Sequence, residues 1–203
     1  YKIINMSQVT YDGEAVQWEG TPPQNVGQLL QLLGQTAQAQ GRVLLSVQVD
    51  GQEALDGSVE MSAPFAAAAA KSCLLKQLYL NAIDSILTAL PTADEAIDPI
   101  VESLLSDTWQ NAFGRLNHFL QGLSGFFELL AGLSSYAAQH PVAWKAPLQQ
   151  SVTAIDEVSK KVLTLCEKAD VADLVHTLSN ELRAAYDDAR LLVKGSVRAT
   201  FAG

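Results

Sequence analysis

Cysteine, charge and long apolar runs are all scarce in this sequence, and each scarcity closes a class of function. The 203 residues include 2 Cys and 3 His, and only 17% are Asp, Glu, Lys or Arg. Cys73 and Cys166 stand outside any C-x-x-C pair and away from histidine, so they build neither a disulfide framework nor a zinc site. They read as small apolar side chains. No stretch approaches the ~18 consecutive apolar residues of a membrane span; the richest, Phe126 to Leu133, is interrupted by Glu128 and Gly132. Basic residues are short too: 13 Lys and Arg against 22 Asp and Glu leave a net charge of −9. A field of that sign repels phosphate backbones, so nucleic acid is not expected as a partner.

Local catalytic signatures are missing as well. The chain has no G-x-x-x-x-G-K-[ST], no G-x-G-x-x-G after a strand, no H-E-x-x-H and no G-x-S-x-G. Nucleotide hydrolysis, dinucleotide binding and zinc or serine hydrolysis therefore lack support, and neither an enzyme nor a cofactor is expected. A carboxylate-bridged metal pair needs two Glu-x-x-His motifs; the one comparable spacing is Asp173-x-x-His176. The chain starts at Tyr1 rather than Met, which leaves room for an upstream targeting segment. A soluble protein, with the cytoplasm favoured, is the expectation.

What is present is ample apolar material, 48% of residues, in two textures that change near residue 62. We expect an α+β, mainly α protein: a small ββαβ(β) grasp-like domain over 1–62 and an antiparallel bundle of four or more helices over 63–203. In the first part, Ile3–Tyr11 and Glu14–Trp18 flank Asp12-Gly13, a type I′ hairpin signal. Thr21-Pro22 reads as the N-cap and first position of a helix over 22–40, with Gly41 past its end. Val43, Leu45, Val47 and Val49 alternate as one strand face, and a last short strand runs through Val59 and Met61.

From Ala63 the reading is helical, because Ala66–Ala70 has the highest intrinsic helix propensity. Leu75, Tyr79, Ile83, Ile86 and Leu90 continue at helical spacing until Pro91. Thr92 with Glu95 makes a capping box, and Asp98-Pro99 a second start for a main helix. That helix carries an unbroken heptad seam from Trp109 through Leu116, Leu123 and Leu130 to Ala137. Pro141 and Pro147 bound the link to a third helix through Leu148, Ile155 and Cys166, and a fourth follows from Val171 to Leu192.

Off the seam lie the candidate functional residues. Gly122 and Gly125, with Gly114 and Gly132, each cost the long helix about 1 kcal/mol relative to Ala. Close approach of another element, or a break near Gly122, would offset that; the functional alternative is a groove for a partner peptide with Arg115 and His118 at its rim. Trp18 and Trp144 are candidate interface anchors, or plugs between the two domains. Asp173, His176, Asn180 and Arg183 form a polar ridge. His176 on a bundle suggests a phosphotransfer protein, yet no Lys-Gly follows it. The leading expectation is a non-catalytic interaction, adaptor or scaffold protein with a protein partner, and homo-oligomerisation is left open. An export chaperone holding an amphipathic client segment is the alternative.

Overall fold

Backbone conformation decides the first element. Asp12 and Gly13 both take positive φ, 51° and 88°, as a two-residue I′ loop requires. They fold strand β1 (Gln8–Tyr11) back onto β2 (Glu14–Ala15), with Tyr11 opposite Glu14. The computed structural model describes residues 8–203, so the part of the expected first strand at residues 3–7 lies outside the described residues.

Helix α1 (Val26–Ala39) starts later than Thr21-Pro22 suggests. Pro23 restricts Pro22 to extended conformations, and the cap passes to Asn25, whose side chain accepts the Gln28 N–H at 2.9 Å. A returning segment takes two more of the helix-start donors: Val26 N–H donates to the Ala63 carbonyl at 3.1 Å and Gly27 N–H to that of Met61 at 2.8 Å. A Cβ on residue 27 would lie 3.2 Å from the Met61 oxygen, so glycine permits this approach. The strand expected through Val59 and Met61 does not form; this segment closes the helix N-terminus instead.

Strand β3 (Arg42–Val49) turns through Asp50-Gly51, again with positive φ at both residues, into β4 (Gln52–Glu53). A bulge between Leu44 and Ser46 shifts its register. The extra residue flips the alternation: Leu44 packs against the core with Val47 and Val49, while Leu45, expected inside, is 52% exposed.

The helical reading of the alanine run is corrected by β5 (Ala67–Leu74). It pairs parallel with β1, Val9 opposite Ala68, and antiparallel with β3, Val47 opposite Ala70. Helix propensity is worth less than about 1 kcal/mol per residue, and pairing on both edges, with Ala68 and Ala70 buried in the core that α1 shares, overrides it. The sheet order β2-β1-β5-β3-β4, with α1 across one face, is grasp-like as expected. The chain divides into two compact units between Leu78 and Tyr79, which places the alanine strand in the first.

Helix α2 (Leu75–Ala89) leads into the second unit and ends before Pro91. Thr92 and Glu95 form the expected capping box of α3 (Ala93–Ser106), Thr92 N–H donating to Glu95 Oε2 at 2.9 Å. Asp98-Pro99 does not restart a helix: Pro99 sits inside α3. Nor is the main helix single. Thr108 caps α4 (Trp109–Gly122), and a single turn residue, Leu123, separates it from α5 (Ser124–Gln139). Pro147 lies in the first turn of α6 (Lys145–Lys168), where a missing N–H is tolerated.

The last helical rod runs on past the expected end at Leu192. Helices α7 (Val171–His176), α8 (Arg183–Leu192) and α9 (Arg198–Ala202) are separated by π-helical turns at Thr177–Leu182 and Val193–Val197. Its buried residues explain the wide turns. Leu174, Leu178, Leu182 and Tyr186, then Ala189, Val193, Val197 and Phe201, recur every fourth position. At 3.6 residues per turn each such step drifts by about 40°, and i→i+5 turns absorb the drift. Among the described residues, no helix is long and apolar enough to cross a membrane.

Candidate functional site

In the helical unit, α2, α3, α4 and the start of α5 line a partly open groove of about 360 Å³. Its floor and sides are apolar, formed by Ile86, Leu90, Ile100, Phe119, Leu123 and Phe126. Each wall follows from a local feature already described. Pro91 ends α2 and turns the chain; the capping box fixes the start of α3; Leu123, between α4 and α5, and Phe126 of α5 line the groove. Arg115, His118, Phe119 and Gly122 share one face of α4 because they are spaced by three or four residues.

Three charged or titratable groups reach the groove: Glu95, Arg115 and His118. Glu95 is already committed. Its carboxylate accepts the Thr92 N–H, which with the Thr92 hydroxyl and the nearby positive charge of Arg190 holds it below the usual carboxylate range. Arg115 and His118 are both exposed. Among the described residues, Arg115 forms no ion pair within 4.0 Å and neither side chain has a hydrogen-bond partner. Arg115 acts only at longer range on Asp107, whose carboxyl is held low first by the Thr108 N–H and then by Asn111. Pro99, which also lines the groove, carries no N–H and so removes the donor that would face the Glu95 carbonyl one turn back.

The sequence-derived candidates thus separate. Arg115, His118 and Gly122 come together at the groove. Gly125 lies behind it: a Cβ there would meet Ile86 Cδ1 at 3.2 Å, so this glycine admits the neighbouring side chain, whereas one on Gly132 would meet Tyr79 at an ordinary 3.8 Å. Around Gly114 and Gly122 nothing lies within 4 Å of that position. The two candidate tryptophans differ: Trp144 is in a core and Trp18 is partly buried. Trp18 packs on the sheet unit's core. Trp144 is 3% exposed, its indole N–H donates to Thr200 Oγ1 at 2.9 Å, and it stacks with Tyr136.

The polar ridge is only partly joined. Asn180 Nδ2 lies 3.2 Å from His176 Nδ1 and donates to the His176 carbonyl at 3.0 Å. Arg183 turns away to pair with Asp94 and Asp98 on α3. Asp173 N–H donates to the Asp170 side chain that caps α7. No three or more His, Cys, Asp or Glu side chains among the described residues gather as a metal site. Burial raises the Cys166 thiol, which keeps it protonated and weakly nucleophilic.

Sequence reasoning missed the contribution of α2 and α3 to the groove, since Ile86 read only as part of a helical stripe and Ala96 and Ile100 carried no signal of their own. Pro99 was the available signal, a helix-interior proline on the wall facing Arg115 and His118. No family model matches this chain, and no significant likeness to a curated protein or to a solved structure is found.

Proposed function

We propose that this chain is a non-catalytic protein-interaction module whose groove between α2, α3 and α4 receives an apolar segment of a protein partner. The observation that carries this reading is the groove itself: about 360 Å³ of mostly apolar space with two uncommitted polar side chains at its rim. That is the pattern of a recognition site, apolar walls with a few polar groups that fix orientation. The grasp-like unit serves as scaffold or second contact surface. Two free cysteines suit a reducing compartment such as the cytoplasm, and the acid balance argues against nucleic acid as the ligand.

The export-chaperone reading uses the same groove, for helix-in-groove capture of an amphipathic client; a client that copurifies one to one would select it. A phosphotransfer reading would rest on the exposed His176 alone.

The test is affinity capture with the full chain and with Gly122→Trp, a bulky side chain placed at the groove's border where a Cβ meets no atom within 4 Å. The reading predicts a partner held by the parent chain and lost by the variant. Retention of the same partner by both would contradict it.

A further inference from the structure

We infer that the groove selects an acidic amphipathic segment: one apolar side chain seats among Ile86, Ile100, Phe119 and Phe126, and an adjacent carboxylate is held by Arg115 and His118. This rests on the groove reading above and specifies its occupant. The charge assignment follows from which polar groups are already satisfied. Glu95 has its partners in Thr92 and, at longer range, Arg190. Asp94 and Asp98, the other carboxylates on that stretch of α3, are tied to Arg183. Arg115 and His118, one turn apart on α4, make no hydrogen bond or close ion pair among the described residues, and Arg115 acts only at longer range on Asp107. A guanidinium has five N–H donors and no acceptor, and its strongest partner is a carboxylate gripped by two parallel hydrogen bonds. A basic segment would instead bring like charge against Arg115, beside an apolar contact that strips both of water.

The occupant is a polypeptide because of Gly122. Of the four glycines in α4 and α5, Gly125 is closely approached by Ile86 and Gly132 has only an ordinary contact with Tyr79; Gly114 and Gly122 have open space where a side chain would stand, and of these two Gly122 borders the groove. A glycine that no neighbouring atom of its own chain requires, at the rim of an apolar groove, admits close approach of another main chain. The groove is also partly open rather than enclosed, and at about 360 Å³ it stands at the small end of the range for sites that engulf a small molecule. It fits an anchor side chain of a longer segment that continues over the rim.

The experiment uses two labelled helical peptides with the same leucine face, one with a glutamate polar face and one with a lysine polar face. Their binding to the full chain is read by fluorescence anisotropy. The glutamate peptide should bind about ten-fold more tightly or better, with a preference that weakens at high salt. The Arg115→Glu, His118→Glu double variant, altered only at exposed positions, should lose or invert that preference, with an unchanged circular dichroism spectrum. Gly122→Trp should weaken both peptides. Equal binding of the two peptides, or a preference for lysine, overturns the acidic assignment; if Gly122→Trp still abolishes that binding, the groove reading survives. If neither peptide binds, or if binding ignores Gly122→Trp, both readings fall.

Discussion

Asp12 shows how much a single side chain does in the sheet unit. It sits in the left-handed region at φ 51°, and its carboxylate reaches sixty residues along the chain. It accepts the Ser72 hydroxyl and the Ser72 N–H, both at 2.7 Å, and Arg42 Nη2 at 2.9 Å. The Ser72 hydroxyl, then its N–H, then Arg42 hold the Asp12 carboxyl below its ordinary value of 3.8. A carboxyl depressed in the folded state stabilises the fold fully above the unfolded value, and that contribution is lost as pH falls through the lowered one. Asn tolerates the left-handed backbone and keeps one acceptor, so Asp12→Asn isolates the charge. Urea unfolding from neutral pH downward should show a variant less stable at pH 7 and with a shallower loss of stability in acid. At the other extreme of burial, Tyr186 donates its hydroxyl to the Pro91 carbonyl at 2.7 Å and its ionisation is pushed up to about 12 by burial. That hydrogen bond pins the α2 to α3 turn, and with it one end of the groove.

At the level of elements, the structure separates what local sequence decides from what tertiary pairing decides. The Asp-Gly turn, the capping box at Thr92 and Glu95, and the helical period through Ile83 and Leu90 were legible because each is satisfied by residues within a few positions. The alanine strand was not: its reason to be extended lies in β1 and β3, and nothing within residues 67–74 announces them. The bulge at Leu45 and the π turns of the last rod are likewise invisible to a fixed period, since each inserts one residue's worth of phase. Of the site, the Arg115, His118 and Gly122 face was readable from α4 alone, whereas the opposing walls depended on α3 passing through Pro99. The bulge makes a direct prediction. Leu44→Ala should destabilise the protein by about 1–2 kcal/mol, a half-buried leucine's share of core burial. Leu45→Ala, one position on, should stay within about 0.5 kcal/mol. Chemical denaturation of the two variants side by side distinguishes this register from the unbulged one, in which the effects would reverse.

For the molecule as a whole, a grasp-like sheet unit and a helical unit each bury their own core, and the groove that we read as the recognition site belongs to the helical unit. Its apolar floor is made by the same residues that close the bundle, so binding and stability share side chains there. The rim does not: Arg115, His118 and Gly122 are exposed. The most direct measurement is an amide chemical-shift map of the full chain as the acidic helical peptide is added. The account predicts perturbations centred on Ile100, Arg115, His118 and Gly122. Perturbations confined to residues 8–78, or a bound peptide that leaves those four amides unmoved, would contradict it.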